Sequence, residues 1–312
     1  MRPITKLNYF SAVQAGQTAN LVLDPGATYD QIYIKANNIF SDIEKITLKL
    51  NAEEIFSLTP AEIQAILFRK DQIMAMEYSL ASKFGPDGDG GHFDIDNHRI
   101  NTVLPLPLQL LDSVYDGTQR LTGLVLGPGD NCVIDVKLRQ SPNTPTLEAY
   151  AETRAFPGVR QVVRKFERYT VPIAAAGEVN FTSILRGSRV LRMYFKTTSP
   201  AGNSIEALQI KRDGVEIWDV KKSDNEFVNW FYDASNFIET EIGGFDYVLD
   251  CVREGFPLKD AMSTQSNAMN FKIACSGADN IEIIVERLEP MARSWQVAQQ
   301  GAKPKGRQKV GR

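Results

Sequence analysis

The stretch Gln31-Ile32-Tyr33-Ile34-Lys35, preceded by Leu23-Asp24-Pro25-Gly26, has a counterpart in the second half of the chain. There Leu185-Arg186-Gly187 precedes Arg192-Met193-Tyr194-Phe195-Lys196, and Gly26 and Gly187 are offset by the same interval as Lys35 and Lys196. The register then shifts by one residue and continues. Ile43-Glu44-Lys45-Ile46-Thr47-Leu48-Lys49 matches Ile205-Glu206-Ala207-Leu208-Gln209-Ile210-Lys211, and Asn51-Ala52-Glu53-Glu54-Ile55-Phe56 matches Asp213-Gly214-Val215-Glu216-Ile217-Trp218. Ordered self-similarity over half a chain implies a duplicated domain.

Next in each half comes a helix-start signal. Thr59-Pro60-Ala61-Glu62 and Ser223-Asp224-Asn225-Glu226 both read as capping boxes, a hydroxyl with a glutamate three residues on. Pro60 also suits the first helical position, where its missing N–H leaves no bond unmade. Ile63, Ile66, Leu67 and Ile73 predict one apolar helix face, and Phe227, Trp230 and Phe231 predict its equivalent. Toward the ends, Leu124-Val125-Leu126 with Gly129-Asp130-Asn131-Cys132-Val133-Ile134 parallels Ile273-Ala274-Cys275 with Ala278-Asp279-Asn280-Ile281-Glu282-Ile283. Both read as strand, Asp-Asn turn, strand. The middles share only Phe93-Asp94 with Phe245-Asp246, and Leu104-Pro105-Leu106 with Phe256-Pro257-Leu258.

Alternation of apolar and polar residues predicts strands at 19–23, 31–34 and 46–50, and again at 178–181, 190–195 and 208–210. Many short strands between turns indicate an all-β chain with short helices, built as two tandem sandwiches. A length of 312 residues suits two domains, each able to bury its own core. Gln140 to Val159, with Pro142, Pro145, Pro157 and Gly158, separates the halves, and the boundary is expected near Pro157. The expected domains are 8–156 and 160–296, followed by a flexible basic tail, 297–312.

No apolar run is long enough for a transmembrane helix. Met1-Arg2-Pro3-Ile4-Thr5-Lys6 lacks the apolar core of a signal peptide. The three cysteines, Cys132, Cys251 and Cys275, form neither a CxxC pair nor a disulfide framework, and Cys132 and Cys275 read as small buried hydrophobes. These features predict synthesis in a reducing cytoplasm. The net charge of −3 conceals an asymmetry: Ala302 to Arg312 contains Lys303, Lys305, Arg307, Lys309 and Arg312 and no acid. Without those five positives the body carries −8. Such a tail is either simply solvated or an arm for anionic lipid, nucleic acid or an acidic neighbour.

Candidates for chemistry are few. Asp87, Asp89, Asp94 and Asp96 lie in and after the glycine-rich loop Gly85–Gly91; they read as solvated loop acids, with a structural calcium site as the alternative, because hard cations take several carboxylate oxygens. Counted from Asp87, the twelfth position is His98, so the spacing is not that of an EF-hand. His92 and His98 are the only histidines, and both belong to this loop region. HExxH, P-loop and GxSxG motifs are all missing, and Gly127-Pro128-Gly129 is a turn. No catalytic residue and no cofactor is therefore expected. Two other classes make demands of their own. A bicupin metalloenzyme would need a histidine-rich strand site. A tandem carbohydrate-binding or spike module would need Trp218, Trp230 or Trp295 on an open sheet face.

The duplication, the Leu104-Pro105-Leu106-Pro107-Leu108 segment and the two matching helices resemble the double jelly-roll major capsid proteins of tailless, membrane-containing icosahedral viruses. The resemblance covers about residues 8 to 296, and by size it points to corticovirus-type phages or to the flavobacterial lipid-containing phage group. The second half keeps only Pro257-Leu258 of the Pro-Leu segment. The resemblance implies a structural protein of the virion with no enzymatic role. It implies upright jelly rolls, and homotrimers that tile as pseudo-hexameric capsomers beside penton and minor capsid proteins. It also implies termini facing an internal membrane, where the basic tail would meet anionic lipid. No sequence-specific nucleic-acid contact is implied.

Overall fold

The computed structural model of the protein describes residues 4–70, 102–108, 122–140, 145–155, 162–182, 187–198, 204–232, 245–254 and 256–290. In the first half β1 (Ile4–Lys6), β2 (Thr18–Leu23) and β3 (Ala27–Ala36) lead through α1 (Ile39–Asp42) to β4 (Ile43–Leu50) and β5 (Glu53–Leu58). Then come α2 (Pro60–Lys70), β6 (Val103–Pro105), β7 (Leu124–Val125), β8 (Cys132–Leu138) and β9 (Leu147–Ala155). The second half runs β10 (Val162–Ile173), β11 (Gly177–Phe181), β12 (Arg189–Thr197), β13 (Ile205–Arg212), β14 (Val215–Lys221) and α3 (Lys222–Tyr232). It closes with β15 (Tyr247–Asp250), α4 (Pro257–Asp260), β16 (Met262–Ser263), β17 (Met269–Cys275) and β18 (Asp279–Pro290).

Strand order is identical in the two halves. The first pairs β1-β9-β3-β6, with β7 also on β3, and β2-β8-β4-β5; the second pairs β10-β18-β12-β15, with β16 also on β12, and β11-β17-β13-β14. Every pairing is antiparallel, and each half is a jelly-roll sandwich whose inner faces alternate with outward polar residues. In β8, for example, Cys132, Ile134, Val136 and Leu138 are buried, whereas the residues between them are not. Three bulges recur at equivalent places: Ile43/Lys45 with Ile205/Ala207, Leu48/Lys49 with Ile210/Lys211, and Tyr29/Gln31 with Val190/Arg192. At the last of these the extra residue differs in chemistry. Asp30 is fully buried and accepts two bonds from Arg154 Nε (2.7 and 2.9 Å), whereas Leu191 packs with Val252 and Leu288.

Gly26 and Gly187 both adopt positive φ, 86° and 83°, which explains a glycine at that point of each repeat. The β4–β5 and β13–β14 hairpins turn on Asn51-Ala52 and Asp213-Gly214, all four residues at positive φ, as two-residue hairpin loops of right-handed twist require. Ala52, at φ 67°, carries a Cβ clash that Gly214 avoids. Ala52→Gly should therefore stabilise the protein by about 0.5–1 kcal/mol, after the extra unfolded-state entropy of glycine. A raised thermal midpoint would bear this out.

The repeat continues differently from its sequence match toward the end of each half. Asn51 N donates to Asn131 O (2.7 Å) and Asn51 Oδ1 accepts from Asn131 N (2.9 Å). Asp213 makes the same two bonds with Ala268, both at 2.8 Å. Asn131 is thus equivalent to Ala268, and β8 to β17. The match of Asp130-Asn131 with Asp279-Asn280 is one strand out of step, because strands of one sandwich share an apolar alternation and turn chemistry. Leu104-Pro105 also departs from its match: it lies in β6, whose equivalent is β15, whereas Pro257 opens α4.

The first capping box forms as expected, with Thr59 N on Glu62 Oε2 (2.9 Å) and Glu62 N on Thr59 Oγ1 (3.2 Å). The second does not. Helix α3 starts at Lys222, so Ser223 lies inside its first turn, and Lys222 pairs with Glu226 at 3.7 Å. The apolar face of α2 is buried at Ile63, Ile66 and Leu67, whereas Ile73 lies outside the described residues. In α3 Phe227 is 63% exposed, contrary to its expected inward face. Asn225 and Asn229 turn inward instead, and both donate to Val248 O (2.8 and 2.9 Å). Among the described residues no helix is long and apolar enough to cross a membrane.

Candidate functional site

The two sandwiches meet through a seam that buries the outer face of the β10-β18-β12-β15 sheet. Val163, Phe166, Tyr194, Val248 and Ile284 belong to the same apolar cluster as the core of the first half. Phe56 of β5 meets Phe166 edge to face, with centroids 6.3 Å apart and planes at 89°. Lys165 pairs with Glu53, and Arg168 Nη2 with Glu62 Oε2 at 2.7 Å. The capping glutamate of α2 therefore also ties that helix to the second jelly roll. Arg168 reaches Glu282 on its own sheet through Nη1 at 2.8 Å.

At the centre of this face lies a buried ionic cluster. Glu286 is fully buried, and Oε1 accepts from Arg164 Nε at 2.8 Å. Its Oε2 accepts from Tyr194 Oη at 2.8 Å, and Arg192 Nη1 lies 3.3 Å from both oxygens. Arg192 Nε donates to Asp250 Oδ2 (3.2 Å), whose Oδ1 takes the Val252 N–H (2.8 Å). Two guanidiniums and two carboxylates balance formally. Burial pushes the Glu286 carboxyl upward, but Arg164, Arg192 and the Tyr194 hydroxyl outweigh it and hold the group below its usual range. Tyr194 is driven well above the ordinary phenol value by burial and by Glu286. The cluster fixes the registry of β10, β18, β12 and β15 at the seam; it offers neither an open position nor a nucleophile.

The first half carries the same face, uncovered. The ladder registers make Ile4 equivalent to Phe166, Lys6 to Arg168, Tyr33 to Tyr194, Glu148 to Glu282 and Glu152 to Glu286. The contacts repeat: Tyr33 Oη donates to Glu152 Oε1 (2.8 Å), and Lys6 Nζ to Glu148 Oε1 (2.5 Å). Exposure does not repeat, since Ile4 is 64% exposed and Phe166 is 4%. The second half in turn carries an open copy of the surface that covers Phe166. Ile55 and Phe56 are buried, whereas their equivalents Ile217 and Trp218 are exposed and half-buried; Glu62 is buried, whereas Asp224 is exposed.

Of the residues singled out from sequence, Asp87, Asp89, Asp94, Asp96, His92 and His98 lie outside the described residues. So do Lys303, Lys305, Arg307, Lys309, Arg312, Trp295 and the boundary at Pro157. Among the described residues no group of acids, histidines and cysteines could hold a metal ion. Cys132 and Cys275 are buried in strands, and burial pushes the Cys275 thiol up to about 11 and that of Cys251 up to about 12. Trp218 is half-buried, donates from Nε1 to Tyr247 Oη (3.1 Å), and lies under the Arg253 guanidinium. A cleft of about 260 Å³ opens beside it, lined by Ile210, Ile217, Trp218, Leu249, Arg253 and Met262, among others.

Models of the viral coat protein P2 N-terminal and C-terminal domains match residues 4–79 and 163–291, together more than half of the chain. The chain belongs to the viral coat protein P2 family. The coat protein is accordingly a structural component of the virion capsid and not an enzyme. Its fold is similar to that of the major capsid protein P2 from bacteriophage PM2, at TM-score 0.70 and 18% identity over 94% of this chain and 99% of that one. A chain of the Sulfolobus Turreted Icosahedral Virus is similar at TM-score 0.59 and 10% identity, covering 96% of each. The Faustovirus major capsid protein is similar at TM-score 0.59 and 7% identity, covering 93% of this chain and 90% of that one. No curated protein matches the coat protein by sequence.

Proposed function

We propose that the coat protein forms a homotrimer whose six jelly rolls make a pseudo-hexameric capsomer of an icosahedral shell around an internal lipid membrane. One observation carries this reading: each half bears both sides of a single head-to-tail seam, and among the described residues one pair of them is in contact within the chain. A head-to-tail contact repeated between copies makes a ring when its rotation closes. Three chains of two similar wedges close at six positions. Size exclusion with light scattering should give three chains' mass, and a monomer at high concentration would sink the proposal.

In this reading penton and minor capsid proteins are the neighbours of the capsomer, and the basic tail faces the membrane. Lys303, Lys305, Arg307, Lys309 and Arg312 would each add about 1 kcal/mol of attraction near an anionic surface. Removing residues 302–312 should weaken binding to phosphatidylserine-containing liposomes at low salt. Unchanged binding would remove the tail from the membrane role.

A further inference from the structure

We propose that the seam between chains repeats the seam inside the chain, with Lys6 of one copy on Asp224 of the next and Ile4 packed against Trp218. The assignment rests on the trimeric reading above and adds the residues that make it. Its basis is positional equivalence on both sides of the contact. On one side Ile4 and Lys6 stand where Phe166 and Arg168 stand, as the pairing of β1 with β9 and of β10 with β18 requires. On the other side Trp218 stands where Phe56 stands, because Leu48 pairs with Phe56 and Ile210 with Trp218 at the same step before an equivalent bulge. Asp224 is the third residue of α3, as Glu62 is of α2, and each is the acid of its helix's first turn.

Within the chain, Arg168 divides its guanidinium between Glu282 on its own sheet and Glu62 across the seam. Lys6 already holds Glu148, the equivalent of Glu282, and its outer side is exposed. Asp224 is the matching acid, also exposed. Phe166 meets the edge of Phe56; Trp218, the equivalent of Phe56, is only half-buried, and Ile4, the equivalent of Phe166, is an exposed aliphatic side chain with no apolar cover among the described residues. Val215, 65% exposed, stands where Glu53 meets Lys165. Apolar side chains left open at matched places mark an association surface, and here Ile4 and Trp218 stand where Phe166 and Phe56 meet inside the chain.

The two seams differ in chemistry at matched positions. The internal one buries Glu286 with Tyr194 and places Arg168 at its edge, whereas on the first half Tyr33 holds Glu152 and Lys6 stands in place of Arg168. Lysine is a single point charge without the planar fork of arginine. The seam between chains should therefore loosen with salt before the chain unfolds.

The test uses the full-length protein in size exclusion with light scattering, with circular dichroism as the check on folding. Ile4→Asp and Val215→Asp alter exposed side chains, so each should leave the fold intact and raise the trimer dissociation constant at least about tenfold. Asp224→Lys should do the same. Trimers that persist unchanged in all three single variants overturn this seam while the trimeric reading stands. A wild-type protein that is itself monomeric overturns both.

Discussion

Glu286→Ala is expected to destabilise the coat protein by about 3–5 kcal/mol, because it leaves two buried guanidiniums without their shared carboxylate. Arg164 is 5% exposed and Arg192 1%, so water cannot replace the lost partner. The Tyr194 hydroxyl loses its acceptor at the same time. Urea unfolding should show the loss as a lower midpoint with little change in slope. Glu286→Gln should cost less, since the amide oxygen can keep one of the bonds but not the charge. The pH dependence has a definite sign. The folded-state pKa of Glu286 lies below the ordinary 4.5, so its contribution is complete above that value and is lost as pH falls through the folded value. Wild type should therefore lose stability on acidification below about 4.5, and Glu286→Ala should lack this part of the acid limb. An unchanged acid limb in the variant would show that the cluster does not titrate with folding.

Phe56→Ala should cost about 3–5 kcal/mol, the usual range for emptying a fully buried aromatic site. Phe56 is 0% exposed and serves two packings at once, the first sandwich core and the edge of Phe166. The edge-to-face pair itself accounts for about 0.5–1.5 kcal/mol. Trp218→Ala removes the equivalent residue of the second half, where the seam is open within one chain. Its cost should be smaller in protein held monomeric by dilution, and should rise toward that of Phe56→Ala once copies associate. Thermal unfolding at several protein concentrations separates these cases, because only the association-linked part depends on concentration.

The expected double jelly roll and capsid role agree with the strand order and with the family. The sequence was a good guide wherever local chemistry decides. Gly26, Gly187, Asn51 and Asp213-Gly214 mark turns whose positive φ only certain residues adopt easily. Thr59 and Glu62 mark a cap that forms through bonds within four residues. Legibility failed where equivalence depends on partners distant in the chain. Asp130-Asn131 and Asp279-Asn280 look alike, yet it is the bond of Asn51 to Asn131 and of Asp213 to Ala268 that aligns β8 with β17. The inward face of α3 is set at Asn225 and Asn229 by the Val248 carbonyl, an acceptor on another element, while Phe227 is left outward.

The seam was hidden for the same reason. Arg164, Arg192, Asp250 and Glu286 are scattered charged residues in strands that alternate normally, and nothing in their spacing announces burial. A small sign was present in the unequal chemistry of matched positions, such as Phe56 against Trp218. The sequence alone determined that this chain is a duplicated β scaffold, because turn, alternation and capping signals act over a few residues and recur in order. The tertiary structure alone decided which copy's faces are covered. Burial of a sheet face depends on what packs against it, and the two copies, alike in their strands, differ in that neighbour.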